Sequence, residues 1–397
     1  MIDRPELPTI FAFSNTDWRG IWMNRQHLLS RLARRGWPVV YSSGVMNIWK
    51  RESNAWRGAP LFARAEIEDG ILLDLPGRLP FVWPKLEAYS RWVMRQHMAR
   101  LTRKVRAQRG RGVIAYIFSP EFRPYLDALD PRYVVYHAYD AYPQLPGWGP
   151  RQQRFEQELV GRADLVLATT HGTMALIPRG NAAPRHILPN GVDAEAFAAA
   201  DDDIPCPTAL TKIPRPRIGY LGSINQKLDF NIMRGVARAR PQWHWIFIGR
   251  TLEGAGSPAA DPEIAAAYNE CLTLPNVHFP GPCPRSEVPA YMLHMDVNTI
   301  CYRTTHGWWE HGYPIKLHES LAAGKPVIAS PLRSIVAFSD VVELAGNTEE
   351  WIAALEHALA DDSLERRKRR VAVARENTWD KRADQLDLWL KDMVGRR

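Results

Sequence analysis

Short apolar runs alternate with longer stretches whose apolar residues recur every three or four positions. Thr9-Ile10-Phe11-Ala12-Phe13 opens the chain as a strand, followed by the polar loop Ser14-Asn15-Thr16-Asp17-Trp18-Arg19-Gly20. Leu28, Leu29 and Leu32 then mark one face of a helix that Gly36 caps. Pro38 to Tyr41, Val113 to Phe118, Tyr133 to His137 and Asp164 to Ala168 predict further strands, with a charged helix from about Pro150 to Gly161. Strands alternating with helices at this spacing predict βαβ units on a parallel sheet.

After Ile187-Leu188-Pro189-Asn190-Gly191-Val192-Asp193 the composition changes. Ala194 to Arg217 is rich in Ala, Asp and Pro (Pro205, Pro207, Pro214, Pro216) and reads as a linker. The strand-and-helix pattern then restarts with Ile218-Gly219-Tyr220-Leu221-Gly222. His244 to Gly249, Asn276 to Phe279, Asp296 to Cys301 and Pro326 to Ala329 follow as strands. From Thr348 the tail is helical, with apolar spacing at Leu386, Trp389, Leu390 and Met393. The pattern predicts an α/β protein of two doubly wound, Rossmann-like domains facing a cleft, since ligands of such sheets bind at the carboxyl ends of the strands. The boundaries are 1–193, a linker over 194–217, 218–375, and a C-terminal helix over 376–397 packing back towards the N-terminal domain. A length of 397 residues suits two domains.

Composition narrows the class. Hydrophobic residues make up 46% and charged residues 24%, the balance of a globular protein. No run approaches the ~18–20 uncharged apolar residues of a membrane span. Met1-Ile2-Asp3-Arg4-Pro5 lacks a secretory layout, so the expected location is the cytoplasm. Cys206, Cys271, Cys283 and Cys301 form no CxxC pair and read as reduced, packed thiols. The net charge of +8 is concentrated: eight Lys or Arg and no acid lie between Arg91 and Arg111. In that stretch Met94, Met98, Leu101 and Val105 form one helical stripe behind Phe81-Val82-Trp83-Pro84, flanked by Arg91, Arg95, Arg100, Arg103, Lys104 and Arg106. Two readings stay open. The segment 81–111 lies on an anionic membrane, at the inner face of the cytoplasmic membrane, or it is a core-packed helix with a solvated basic face. No recognition-helix or RNP-type motif accompanies the charge, so nucleic acid is not an expected partner.

The densest chemistry lies in Gly312-Tyr313-Pro314-Ile315-Lys316-Leu317-His318-Glu319-Ser320-Leu321-Ala322-Ala323-Gly324-Lys325-Pro326. Pro314 suits the first turn of a helix, and Gly324 with Pro326 stops it after barely three turns. The N–H groups at such a start attract a diphosphate, and Lys316 adds a full charge beside them. Glu319, three residues on, shares that face and can accept hydrogen bonds from ribose hydroxyls. Equally, Lys316 and Glu319 can pair on a short surface helix for only ~0.2–0.5 kcal/mol.

This segment resembles the donor-binding motif of GT-B, group 1-like glycosyltransferases, and companion segments appear in the same order. Leu188-Pro189-Asn190-Gly191-Val192-Asp193 resembles the crossover out of the first domain. Ile218-Gly219-Tyr220-Leu221-Gly222 resembles the strand and Gly loop opening the second. Asn276-Val277-His278-Phe279-Pro280-Gly281, with Val288-Pro289-Ala290-Tyr291, resembles the segment whose backbone meets the nucleobase. The resemblance implies that Lys316 and Glu319 hold the diphosphate and ribose of a uridine-linked sugar. It places Pro314, Ile315, Gly222, Ser223, Lys227, Arg250 and Phe279 on the same donor side. One feature departs from the retaining members: where they carry the first of two Glu spaced by seven, this chain has His311, with Glu310 one residue off register.

Transfer to a hydroxyl needs a base. Tyr133-Val134-Val135-Tyr136-His137-Ala138-Tyr139-Asp140 sets Asp140 just past a strand, a position that also suits a turn former. Strand, Asp140, helix with Glu156, then Ala163-Asp164-Leu165-Val166-Leu167 resembles the inverting xanthan-type glucuronosyltransferase group, where the matching Asp is the base. His137 is the rival, and alternation along the strand also allows it to be packed inside. Asp17, Trp18 and Arg19, in a loop similar to that group's first, are the acceptor-side candidates. Asp201-Asp202-Asp203 lies in the linker, and no DxD pair stands elsewhere to hold a divalent metal, so neither metal nor cofactor is expected. The expected activity is inverting, metal-independent transfer of a sugar (hexosyltransferase-type) to a glycan or lipid-linked acceptor in cell-surface polysaccharide or glycolipid synthesis. A UDP-sugar epimerase and a non-catalytic nucleotide-sugar-binding protein are the alternatives.

Overall fold

A computed structural model describes residues 7–106, 112–198, 204–305 and 307–396. The acidic run Asp201–Asp203 and the end of the basic stretch, 107–111, lie outside the described residues. The chain forms two compact units, one of Met1–Pro189 with Arg382–Arg397 and one of Asn190–Lys381.

The first unit is built on an eight-stranded sheet in the order β3-β4-β2-β1-β5-β6-β7-β8. Its strands are β1 Thr9–Phe13, β2 Val39–Ser42, β3 Arg64–Glu68, β4 Ile71–Leu75, β5 Val113–Ile117, β6 Tyr133–Ala138, β7 Leu165–Ala168 and β8 Arg185–Ile187. All pairings are parallel except that of β3 with β4. β1, β2, β6 and β7 are apolar runs buried along their whole length, as strands covered on both faces must be. β3 and β4 turn over Asp69-Gly70, both at positive φ (48° and 79°), the backbone a two-residue hairpin requires. The strand order reverses at β1, which has β2 on one side and β5 on the other, so the sheet's ligand-binding switch point lies at the ends of β1 and β5.

The helix Glu87–Arg106 turns its apolar stripe inward. Met98, Leu101 and Val105 are buried in the first unit's core, and Met94 packs against it. The apolar stripe is therefore spent inside, and this helix does not lie on a membrane by that face. His97 and Arg100 on the same helix meet the buried Asp74 carboxylate at 2.8 and 2.5 Å. Burial pushes the Asp74 carboxyl upwards, but His97, Ser42 and Arg100 together hold it below its usual range.

The C-terminal helix, Trp379–Gly395, contributes its residues from Arg382 onwards to the first unit. Leu386 and Leu390 are fully buried there. The Trp37 indole N–H donates to Asp387 at 2.7 Å, Arg35 pairs with Asp384 at 2.6 Å, and Trp389 stacks on His186 with centroids 4.3 Å apart.

The second unit carries a six-stranded parallel sheet in the order β11-β10-β9-β12-β13-β14. The strands are β9 Arg217–Leu221, β10 His244–Ile248, β11 Val277–Gly281, β12 Val297–Ile300, β13 Val327–Ala329 and β14 Glu343–Leu344. Here the reversal falls between β9 and β12. The segment expected as a linker is instead built into this unit. Ala194–Ala198 is helical, and Leu210 and Ile213 enter the core. The buried Arg217 guanidinium fixes them by donating to the Leu210 and Ile213 carbonyls at 2.8 Å each. Among the described residues no helix is long and apolar enough to cross a membrane.

Candidate functional site

The carboxyl ends of β9, β10 and β11 converge through glycines. Gly222 takes φ +140° and Gly249 φ +156°, conformations that other residues rarely adopt. A Cβ on Gly249 would collide with the Gly222 carbonyl, so the two turns lie in direct backbone contact. Gly222 N–H donates to the Ile248 carbonyl at 2.9 Å, and Gly249 N–H to the Gly281 carbonyl at 3.0 Å. The result is a platform of backbone beside the switch point.

Lys316 reaches this platform. Its Nζ donates to the Tyr302 hydroxyl at 3.0 Å and stands 5.0 Å from the Tyr220 ring centroid and 5.6 Å from that of Tyr302. A Cβ at Gly222 would sit 2.8 Å from that nitrogen, so only glycine leaves the ammonium its place. β9 carries Tyr220, and Tyr302 follows β12, so Lys316 lies at the sheet's switch point. Burial lowers the Lys316 ammonium from its ordinary range to about 8, against the opposing pull of Glu319. The aromatic faces give a partial substitute for lost hydration. Lys227 stands beside the same cluster, 5.0 Å from the Tyr302 ring and 5.8 Å from that of Trp308. Two ammonium groups thus flank one tyrosine at the end of a parallel sheet, an arrangement that attracts a strong anion.

The helix carrying Lys316 spans Lys316–Ala322. It is two turns long rather than nearly three, and it begins two residues after Pro314 because Ile315 serves as its cap. No side chain caps that end. Gly324, at φ +70°, closes it. Glu319 closes the first turn, within electrostatic reach of Arg285 and Cys283, the segment after β11. Burial raises its carboxyl, opposed by Lys316 and Arg285. Lys316 thus bonds Tyr302 rather than forming the surface pair with Glu319 that spacing alone allowed.

The remaining donor-side candidates separate. Ser223 presents its carbonyl to the Tyr220 hydroxyl at 3.0 Å. Arg250 is exposed, and its carbonyl accepts from the Ile224 N–H at 2.9 Å. The Phe279 ring is turned to the core, stacked on Phe247 at 4.9 Å and edge-on to Tyr268 at 6.2 Å. Its side chain is therefore packing, and only its backbone remains for a ligand. Glu310, off register in sequence, lies 3.7 Å from Arg333.

In the first unit, β6 ends at Ala138, and Asp140 stands two residues beyond, partly buried, with its carbonyl accepting from the Tyr142 N–H. Arg25 lies flat over the adjacent Tyr139 ring at 4.3 Å and donates through Nε to Thr16 at 2.6 Å. Arg25 is only 2% exposed, and its Nη1 has no hydrogen-bond partner. A buried guanidinium nitrogen without a partner calls for an acceptor group. Sequence reasoning missed it because an Arg within Asn24–Arg34 reads as the polar side of a helix.

His137, the other candidate base, is fully enclosed. Its Nδ1 shares a 2.9 Å hydrogen bond with the Tyr116 hydroxyl, and the Phe118 ring lies 5.4 Å away. Burial, aided by Arg25, lowers it to about 3, so it is a neutral core histidine near pH 7 and not a solvent-facing base. Of the three acceptor-side candidates, Trp18 is buried against Tyr41 with centroids 5.0 Å apart. Arg19 pairs with Glu66 at 2.7 Å and Glu68 at 2.9 Å on the edge strand. Asp17 is exposed and closes its own turn by accepting from the Arg19 N–H at 3.1 Å. Their side chains build the loop; Asp17 alone presents a carboxylate to solvent.

Glu156 is buried beneath this region and accepts from the Tyr136 hydroxyl at 2.6 Å. Burial raises its carboxyl to about 7, and the Tyr136 bond opposes that.

Comparison with known proteins gives this geometry a family setting. Residues 215–361 match the family model for glycosyl transferases group 1. A teichuronic acid biosynthesis glycosyltransferase by name, TuaH of Bacillus subtilis (strain 168), is 29% identical over 234 residues, which are 57% of this chain and 56% of TuaH. The match thus spans little more than half of that relative. The fold is similar to that of sucrose-phosphate synthase from Thermosynechococcus elongatus (TM-score 0.69, 14% identity, covering 98% of this chain and 100% of that one). It is similar to an E. coli trehalose-6-phosphate structure bound with UDP-2-fluoro glucose (0.68, 13%, 97% and 99%). It is also similar to Anabaena HepE in complex with UDP and glucose (0.65, 15%, 97% and 99%).

Proposed function

We propose that this chain, of GT-B glycosyltransferase fold with a group 1 glycosyl transferase domain in its second unit, moves a sugar from a nucleotide diphosphate sugar to a glycan or lipid-linked acceptor. The observation that carries the reading is the Lys316 ammonium, set among Gly222, Tyr220 and Tyr302 at the switch point of the second sheet. Two fold neighbours hold uridine ligands, UDP-2-fluoro glucose in one and UDP with glucose in the other, which supports a uridine-linked donor. The name of the B. subtilis relative supports a place in cell-surface polysaccharide synthesis.

In this mechanism Lys316, helped by Lys227, neutralises the diphosphate, and Glu319 accepts from the ribose hydroxyls. The acceptor hydroxyl oxygen attacks the anomeric carbon while the bond from that carbon to the diphosphate oxygen breaks. The bonding pair leaves with the nucleoside diphosphate, and the acceptor proton passes to Asp140. Attack from the face opposite the leaving group inverts the anomeric centre. The leaving charge is met by ammonium groups, so the proposal assigns no role to a metal. Arg25, with a nitrogen to spare next to Tyr139, orients an anionic or hydroxyl-rich acceptor.

Calorimetric titration of UDP combined with turnover on a UDP-sugar tests this reading. Lys316→Ala should weaken UDP binding about a hundredfold, whereas Asp140→Ala should keep it and lower turnover steeply. UDP binding untouched by Lys316→Ala removes the donor site. Isomerisation of the sugar nucleotide without any acceptor identifies an epimerase. Tight UDP binding with no turnover on any acceptor identifies a non-catalytic binder.

A further inference from the structure

The first unit exposes an unusual set of large apolar side chains that neither candidate site uses. Trp49, Leu61, Phe62, Trp83, Leu86 and Trp92 are each between 41% and 66% exposed. Large aromatics are ordinarily mostly covered, and a contiguous exposed patch of them marks an interaction surface.

The segments that carry them are neighbours in the fold. Two loops are laced together by backbone bonds: Ile48 N–H to the Val82 carbonyl at 3.0 Å, Val82 N–H to the Met46 carbonyl at 2.8 Å, and Leu79 N–H to the Leu61 carbonyl at 2.8 Å. A ladder of rings then runs from Trp56 to Phe81, Tyr89 and Trp92, each step 6.1–6.2 Å between centroids. Ser90 ties the two parts by donating to the Trp83 carbonyl at 2.7 Å. The two loops are thus tied to the first turns of the helix Glu87–Arg106, whose own apolar stripe is buried.

Charge identifies the occupant. Residues 47–62 and 77–95 carry seven Lys or Arg against two Glu. Lys50, Arg51, Lys85 and Arg95 are exposed among the aromatic residues. Beyond them along the same helix come Arg103 and Lys104, also exposed. An apolar patch of Trp and Leu whose rim is mainly positive fits the headgroup zone of an anionic bilayer, where Trp sits at the headgroup level and Lys or Arg meets phosphate. We propose that the loops 47–62 and 77–86, with the first turns of the helix Glu87–Arg106, seat the first unit on an anionic membrane surface. The seat is independent of the reading of the donor site, and the two can fail separately.

Co-sedimentation of the full chain with vesicles tests the seat. Wild-type protein should pellet with vesicles of phosphatidylglycerol and phosphatidylcholine, and far less with phosphatidylcholine alone. A Trp83→Ser, Trp92→Ser double variant and a Lys85→Glu, Arg95→Glu double variant should each lower partition by about tenfold or more. Far-ultraviolet circular dichroism and a cooperative melt matching wild type, read on the same samples, report that a variant is folded. The charge-reversed pair changes only exposed side chains and keeps the test valid if the Trp variant does not fold. Wild-type protein that stays in the supernatant with anionic vesicles overturns the proposal, as does partition unchanged in both variants. A dimer in sedimentation velocity that Trp83→Ser dissolves would assign the patch to a second copy of the chain and overturn it likewise.

Discussion

Lys316 illustrates how a residue becomes functional by where its neighbours come from. Its position three residues before Glu319 was legible in sequence because helix spacing is local. Its real partners were not: Tyr220 and Tyr302 arrive from β9 and from the end of β12, and only the sheet order brings them together. The same holds for Arg25, whose partner Tyr139 lies more than a hundred residues away. Two predictions belong at this scale. Gly222→Ala forces a Cβ within 2.8 Å of Lys316 Nζ at a φ of +140°, so UDP affinity should fall about tenfold with some loss of melting temperature. Calorimetry and a thermal melt check it. Glu156, raised to about 7, gives a pH dependence of stability. An acid held above its unfolded value contributes stability that is complete below the ordinary Glu range and is lost as pH rises through about 7. Glu156→Gln removes that loss, so its melting temperature relative to wild type should rise between about pH 5 and about pH 8.5, by the equivalent of roughly 3 kcal/mol. A difference in melting temperature that stays constant with pH contradicts the assignment.

At the scale of elements, the central strands were legible because parallel strands covered on both faces read as unbroken apolar runs. The edge hairpin was not. β3, Arg64-Ala65-Glu66-Ile67-Glu68, is charged and largely exposed, as an edge strand is expected to be, and its one signal was the Asp69-Gly70 turn. The helix Glu87–Arg106 shows the limit of amphipathic patterns: a stripe can face a core or a bilayer, and sequence does not say which. Its first turns and the loops before it carry the exposed aromatic residues instead. The helix Trp379–Gly395 yields a test of its own. Leu390→Ala opens a cavity under a fully buried position and should cost about 2–5 kcal/mol of the first unit's stability, read by chemical denaturation. UDP binding should survive at low denaturant, because the donor residues belong to the second unit.

For the whole molecule, the restart of the strand pattern after residue 217 foretold two Rossmann-like units, and the two sheets bear it out. What was misjudged was the stretch before that restart: Pro-rich and acidic, it read as a linker, yet Leu210, Ile213 and Arg217 anchor its described part in a core. Each unit has its own switch point. In the proposed mechanism the second unit binds the donor and the first removes the proton. Asp140→Ala should therefore lower kcat by about 10²–10⁴-fold while leaving the UDP dissociation constant within a factor of about two. Steady-state kinetics paired with calorimetry distinguishes this from a general loss of fold.

The central claim is that Lys316 holds the donor diphosphate, and its lowered ammonium supplies the most direct test. Free Lys316 titrates at about 8, and a bound diphosphate favours the charged form. Binding should therefore be strongest below pH 8 and weaken by up to about tenfold per unit as pH rises beyond it, with proton uptake on binding in that range. Calorimetric titration of UDP from about pH 7 to about pH 9.5, on wild type and Lys316→Met, makes the measurement. Wild type should show this decline, and the variant an affinity about a hundredfold lower with no such decline. Equal affinities for the two proteins, or the same pH profile in both, would contradict the claim.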